Sequence, residues 1–133
     1  IDGTVATARG IAFSRARSGL TGVTRVVLGD LALLHDAGSL LLQDVERQES
    51  PLQLFVVTDG GGSLFDSLEV AQSADQAAYE RVIFTPAEVD LKSLAAAYGW
   101  RYHKADTFGG LIDALADTGG HLLVECPVDR KGP

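Results

Sequence analysis

The sequence lacks methionine and long apolar runs, and it contains a single cysteine, Cys126. One cysteine excludes an internal disulfide framework and favours a reducing compartment, so we expect a cytoplasmic protein. No apolar run approaches the roughly 20 residues of a transmembrane helix, which predicts no stable membrane insertion. Because translated chains start with methionine and this one opens at Ile1, we expect it to be a piece of a longer protein.

Basic residues are also scarce, with 11 Lys and Arg against 18 Asp and Glu and a net charge of −7. This balance argues against a nucleic-acid partner, because such partners attract basic surfaces. The chain has 133 residues and 46% hydrophobic content, which is enough for one domain with its own core. We therefore expect residues 1–133 to form a single domain.

Short apolar runs predict strands at 25–29, 52–58, 100–104 and 121–128, and helical periodicity predicts helices at 4–17, 33–45, 89–98 and 108–117. In the first helix we expect Thr4 as N-cap and an inner face formed by Val5, Ala8, Ile11, Ala12 and Phe13. Residues 66–80 are expected to form a surface excursion with a helical turn. Short strands separated by helices predict the α/β class, with three α/β/α layers around a mostly parallel sheet.

Two aspartates each follow a predicted strand. Asp30 and Asp59 lie 29 residues apart, the length of one crossover connection, so they are expected at neighbouring strand ends facing one crevice. Mg²⁺ prefers such oxygen ligands, and the glycines at 60–62 let the backbone approach a phosphate. A helix starting near Ser63 would add N–H donors. The pattern predicts a Mg²⁺–diphosphate site, although a simple turn with an Asx cap also explains Gly29-Asp30.

Two stretches of the sequence, 29–36 and 55–65, resemble a known family. "GDLALLHD" (29–36) and "FVVTDGGGSLF" (55–65) resemble the diphosphate-binding motif of thiamine-diphosphate enzymes. Together with "IDGTVATA", "FTPAEVDLKSLAAAYGWRYHKA" and "LLVECPVDR", they resemble the C-terminal domain of MenD-type 2-succinyl-5-enolpyruvyl-6-hydroxy-3-cyclohexene-1-carboxylate (SEPHCHC) synthases of menaquinone biosynthesis. The resemblance runs from residue 1 to about 130. It implies the thiamine-diphosphate-binding fold and a C-terminal fragment of a multidomain enzyme.

The resemblance also implies a set of site residues. The side chains of Asp30 and Asp59 and the carbonyl of Gly61 would bind Mg²⁺ or Mn²⁺. The residues implied to contact thiamine diphosphate lie along its diphosphate and its thiazolium ring, and they are Ile1, Gly29, Asp30, Leu31, Ala32, Gly62, Leu64 and Phe65. The chain departs from many members at Thr58-Asp59-Gly60, where an Asn run is usual, at Ser63, where Gly is usual, and at Leu64, where Ile is usual.

The implied activity is that of a transferase. In this family 2-oxoglutarate is decarboxylated and its succinyl-semialdehyde unit is added to isochorismate. The glutamate that activates the cofactor belongs to an N-terminal domain of a second subunit, so the resemblance implies no catalytic residue in this chain. The implied partners are the missing N-terminal domains and a second subunit, in a homodimer or homotetramer, and the chain alone is expected to be inactive.

Two alternatives remain from the residues alone. One is a self-contained Mg²⁺-dependent domain of the phosphatase-like or receiver-like kind, which needs a lysine at a later strand end. No lysine is a convincing candidate, since Lys104 is followed by an unremarkable loop. The other alternative is a non-catalytic subunit or binding module, which activity on mixing with the missing N-terminal part would separate from the synthase.

Overall fold

The computed structural model describes residues 1–131 as alternating strands and helices. The strands are β1 (Thr24–Gly29), β2 (Leu52–Thr58), β3 (Arg101–Lys104) and β4 (His121–Pro127). The helices are α1 (Thr4–Arg17), α2 (Asp30–His35), α3 (Asp44–Glu49), α4 (Glu69–Ser73), α5 (Gln76–Tyr79), α6 (Leu91–Ala97) and α7 (Phe108–Ala116). Short 3₁₀ turns cover Ala37–Leu40 and Ser63–Ser67, and a π turn covers Glu80–Phe84.

The four strands form one sheet in the order β1-β2-β4-β3, and all three neighbouring pairs are parallel. The predicted parallel sheet is therefore confirmed. So is the adjacency of β1 and β2, whose last paired residues are Gly29 and Val57. In the part of the chain that is described, no helix is long and apolar enough to cross a membrane.

Apolar side chains cover both faces of the sheet. Leu54 and Leu123 belong to a buried cluster with Ala8 of α1 and Ala95 of α6. The residues that alternate with them on β2 and β4 pack with Ala114 of α7 in a second cluster. Successive side chains of a strand point to opposite faces, so the helices lie on both sides. The predicted three-layer α/β/α class is confirmed.

The predicted helix at 33–45 is wrong. The chain leaves helical geometry after His35, turns through a short 3₁₀ segment, and becomes helical again at Asp44. The reason is Asp36, a buried residue whose carboxylate accepts hydrogen bonds from the backbone N–H of Ala6 and the hydroxyl of Ser39. These bonds tie the chain to α1 and turn it where apolar periodicity would continue the helix.

The first helix has its predicted bounds but not its predicted cap. Gly3 precedes it at a φ of 78°, and the hydroxyl of Thr4 donates to the carbonyl of Ile1, so Thr4 is the first helical residue. The buried residues of the predicted inner face are Val5, Ala8 and Ala12, and Phe13 is half-buried. The prediction for Ile11 is wrong, because this side chain is 51% exposed. The other predicted helices and all strands agree within two residues.

Candidate functional site

The site begins where β1 and β2 end. Asp30 directly follows β1 and is the first residue of α2, while Asp59 directly follows β2. Because the two strands are adjacent and parallel, both aspartates lie at the carboxyl edge of the sheet. Asp30 is buried at 6% exposure, and Asp59 is half-buried. The two predicted ligands are thus brought to one edge.

The Asp30 carboxylate connects the two strand ends. Its Oδ1 accepts from the N–H of Leu31 at 2.7 Å, and its Oδ2 accepts from the N–H of Gly60 at 3.0 Å. Burial raises the pKa of this carboxyl above its usual value, and the negative charge of Asp59 raises it further. The backbone N–H groups act against this rise. A divalent cation beside both carboxylates would relieve their repulsion, because its positive charge offsets their negative charges.

The Asp59 carboxylate is held by the turn that follows it. Its Oδ1 accepts from the N–H of Gly61 at 3.2 Å, and its Oδ2 accepts from the hydroxyl of Ser63. Ser63, which replaces the glycine usual in the resembled motif, therefore fixes the orientation of this side chain. Within residues 1–131 no group of three or more His, Cys, Asp or Glu side chains could hold a metal ion. A Mg²⁺ site here would use two carboxylates and backbone oxygen.

Residues Gly60–Gly62, here called the glycine turn, need glycine for two different reasons. Gly60 has a φ of 87°, a conformation that L side chains rarely adopt. At Gly61 an added Cβ would lie 2.6 Å from the carbonyl oxygen of Phe84. At Gly62 it would lie 2.9 Å from that of Ile83. The last two glycines thus admit a neighbouring backbone segment of the same chain.

The N–H of Gly62 also takes part in this approach, because it donates to the carbonyl of Phe84 at 2.6 Å. Any contact between Gly62 and a phosphate would therefore not use this N–H group. The segment beginning at Ser63 is a single 3₁₀ turn, shorter than the helix that the sequence predicts there. The assignment of Gly62 to the cofactor stays a prediction.

A small cavity of about 80 Å³ lies beside Asp30 at the same edge. Sequence reasoning missed one acidic side chain in its wall, Glu125 of β4, which accepts a hydrogen bond from the hydroxyl of Tyr102 at 2.6 Å. Burial and this carboxylate both raise the pKa of Tyr102. In the sequence, Glu125 could have been singled out as the one charged carboxylate within the apolar run HLLVECP. The lining residues are Asp30, Leu34, Thr58, Gly60, Ala87, Val89, Leu91 and Glu125.

The remaining predicted cofactor residues divide by exposure. Leu31 and Ala32 are half-buried in the first turn of α2, and Ala32 packs against the core. The others are open to solvent, with Ile1 71%, Leu64 79% and Phe65 40% exposed, and Gly29 exposed as well. Large apolar side chains with this exposure are available to contact a ligand or another part of a protein.

The lysine required by the phosphatase-like or receiver-like alternative is not beside the aspartates. Lys104 ends β3, the edge strand, and its register partner is Glu125 on β4. Strand β4 therefore separates Lys104 from β2 and its Asp59. The arrangement of strands gives no support to this alternative.

Comparison with models of known protein families gives no match. Over 98% of its length the chain is similar to the SEPHCHC synthases of Clavibacter michiganensis subsp. michiganensis, at 53% identity, and Leifsonia xyli subsp. xyli, at 47% identity. The resemblance to the MenD-type synthases is confirmed. The chain spans about 23% of the length of each of these SEPHCHC synthases, so most of their length has no counterpart in it.

Two solved structures are similar to this chain over less than a quarter of their own length. Benzoylformate decarboxylase from Polynucleobacter necessarius matches with a TM-score of 0.76 and 18% identity, covering 95% of this chain and 23% of the decarboxylase chain. A protein from Mycobacterium smegmatis described as a thiamin diphosphate-dependent enzyme matches with a TM-score of 0.68 and 17% identity, covering 94% and 22%. These similarities agree with the predicted three-layer α/β/α fold of this chain.

Proposed function

We propose that this chain is the part of a SEPHCHC synthase that binds thiamine diphosphate and its divalent cation. The observation that carries the proposal is the pair Asp30 and Asp59 at adjoining parallel strand ends, followed by the glycine turn. Two carboxylates whose charges repel, beside the open space around Gly29 and Gly60, match the preferences of Mg²⁺ and diphosphate. The donor set therefore fits the group.

We propose the roles that the resemblance implies for individual residues. Asp30, Asp59 and the Gly61 carbonyl would hold Mg²⁺ or Mn²⁺. The backbone on either side of Asp30 and at the glycine turn would adjoin the diphosphate, as predicted for Gly29, Leu31, Ala32 and Gly62. The exposed apolar side chains would pack against the thiazolium ring and exclude water from it, as predicted for Ile1, Leu64 and Phe65.

The cofactor, when bound, supplies the carbanion chemistry, and the protein supplies binding and orientation. We propose that the full-length protein uses it to decarboxylate 2-oxoglutarate and to transfer the remaining four-carbon unit to isochorismate. The residues that touch these substrates and activate the cofactor would come from the rest of the protein and from a second subunit of a homodimer or homotetramer. We also propose a cytoplasmic location, and no turnover by residues 1–133 alone.

Calorimetric titration of the full-length protein with thiamine diphosphate, with and without Mg²⁺, tests this function. We expect binding that needs Mg²⁺ and weakens at least about tenfold, equivalent to about 1.4 kcal/mol, in Asp30→Asn. The reason is that the amide loses the negative charge and one of the two acceptor oxygens. Asp113→Asn on the exposed face of α7 is the matched control and should bind as the unaltered protein does. Binding that ignores Mg²⁺, or that survives Asp30→Asn unchanged, contradicts the proposal.

A further inference from the structure

The glycine turn takes its shape from a segment more than twenty residues later. The N–H of Gly62 donates to Phe84, and the N–H of Ala87 donates to the carbonyl of Gly60 at 3.0 Å. Gly61 and Gly62 lie so close to the carbonyls of Ile83 and Phe84 that neither tolerates a Cβ without movement. Whatever fixes the Glu80–Phe84 turn therefore fixes the glycine turn.

One guanidinium group, that of Arg130, binds this segment from both sides. Its Nε and Nη2 donate to the two carboxylate oxygens of Asp66 at 2.7 and 2.8 Å. Its Nη1 and Nη2 donate to the carboxylate of Glu80, each at 3.0 Å. Its carbon Cζ lies 3.6 Å from the centre of the Phe84 ring. Arg130 thus joins the turn that follows Ser63 to the turn that ends at Phe84.

The partners of Arg130 are themselves anchored. Asp66 also accepts a hydrogen bond at 2.8 Å from the hydroxyl of Tyr79, which is 2% exposed. Arg130 and Tyr79 lower the pKa of Asp66 to about 2, and Arg130 lowers that of Glu80. Arginine suits this place because its planar group can pair with two carboxylates and stack on a ring at once, whereas lysine offers a single point charge.

We propose that Arg130 is a positioning residue for the proposed cofactor site, one that holds the Ile83–Phe84 backbone against the glycine turn and so keeps Asp59 and Gly61 in place for the cation. The inference rests on the proposed function. It adds a role for the C-terminal side of β4, which contributes no ligand of its own. The route runs from Arg130 to the Phe84 ring, from the Phe84 carbonyl to Gly62, and from Gly61 to Asp59.

The test compares Arg130→Ala and Arg130→Lys with Arg101→Ala in the full-length protein. Arg101 is the control because it too is held by a bidentate pair with a carboxylate, that of Asp117 at 2.5 and 3.1 Å, but it lies on β3. We expect both Arg130 variants to raise the Kd for thiamine diphosphate at fixed Mg²⁺ about tenfold or more. We expect kcat at saturating cofactor and Mg²⁺ to stay within about threefold, and Arg101→Ala to change neither value.

Hydrogen exchange without any ligand supplies the second readout. Exchange at the Gly62 amide should accelerate in both Arg130 variants and not in Arg101→Ala, because only the former release Phe84. If Arg130→Ala does not fold, Asp66→Asn weakens the same contacts more gently and should give the same two effects in smaller measure.

Several results would overturn the proposal. Unchanged cofactor affinity in Arg130→Ala and Arg130→Lys, or equal losses in Arg101→Ala, would reduce Arg130 to a general surface contact. Full rescue by Arg130→Lys would exclude the bidentate and stacked geometry as the cause. If the unaltered protein binds no cofactor, the proposed function fails and the cofactor role of Arg130 fails with it. Faster Gly62 exchange would then still identify the contact that shapes the turn.

Discussion

The side chain of Asp30 has two roles, one in the fold and one in the proposed cation site. Before any cation binds, its two carboxylate oxygens already accept N–H groups from Leu31 and Gly60, and so they set the spacing of the two strand ends. The same oxygens are the proposed ligands for Mg²⁺. Replacing Asp30 therefore removes a ligand and also leaves a backbone N–H facing an amide NH₂. The sequence predicts an Asx cap at Asp30. It does not predict the contact with Gly60, because Gly60 lies thirty residues away.

The raised pKa of Asp30 predicts how cation binding depends on pH. A carboxyl whose folded pKa exceeds its usual 3.8 stabilises the fold most when protonated, and that contribution is lost as pH rises through the folded pKa. Cation binding requires the ionised form, so protons compete with Mg²⁺. As the pH is lowered, we expect the affinity for the cation to begin to fall at a higher pH than it would with an aspartate of ordinary pKa.

Titrations with Mn²⁺ in the presence of thiamine diphosphate, between about pH 7.5 and pH 4.5, measure this effect. Asp30→Asn should remove the part of the pH dependence that Asp30 contributes, because the amide does not titrate. An affinity that stays level until the usual aspartate range would show that Asp30 is not the competing group.

Among the elements, the glycine turn depends most on close packing between backbones. Its last two residues lie against the Glu80–Phe84 turn, while its first has a left-handed φ. Three consecutive glycines do not by themselves predict either the close packing or the left-handed φ, because they are equally typical of a loop that approaches a phosphate. The structure assigns the space beside Gly61 and Gly62 to the protein's own carbonyl groups.

Gly61→Ala should therefore disturb the site more than an ordinary loop substitution. Its Cβ would meet the Phe84 carbonyl oxygen at 2.6 Å, and backbone atoms must move to relieve the overlap, at a cost of about 1–3 kcal/mol. We expect Mg²⁺-dependent cofactor affinity to fall at least about tenfold and the melting temperature to fall with it. Gly38→Ala, with open space around it, is the control. Equal melting temperatures for both variants would contradict the packing.

Most elements of this fold could be predicted, because they follow local rules. Apolar runs gave the four strands, and Gly99, at a φ of 73°, ends α6 as the pattern predicts. The break after His35 could not be predicted, since it depends on Asp36 meeting α1. The spacing of Asp30 and Asp59 predicts their adjacency, but the side-chain hydrogen bonds of Arg130 join residues 50 to 64 positions apart and leave no local pattern.

Across the whole molecule, apolar residues of similar type differ widely in burial. Leu54 of the inner strand β2 is fully buried, whereas Val27 of the edge strand β1 is 71% exposed. No residue of β1 belongs to the second core cluster, and on the side of β1 that carries Val27 the guanidinium of Arg25 donates to the carbonyl of Leu115 in α7. The amount of burial, not residue type, decides what each side chain contributes to stability.

In the 133-residue chain we expect Leu54→Ala to reduce the free energy of unfolding by about 2–5 kcal/mol, since it leaves a cavity in the core. Val27→Ala should change it by less than about 0.5 kcal/mol, as for other exposed positions. Denaturant unfolding measures both values. A large loss in Val27→Ala would show that something covers β1, and the same pair in the full-length protein shows whether its other segments do so.

The strand order has a consequence for synthesis on the ribosome. Of the four described strands β4 is made last, yet it pairs with both β2 and β3, and β3 has no other partner in the described sheet. Until residue 127 has emerged, β2 offers a free edge bearing Leu54 and Phe55, and such edges favour association between chains. Nascent chains stopped before His121 should therefore depend on chaperones, and those that include Arg130 should not.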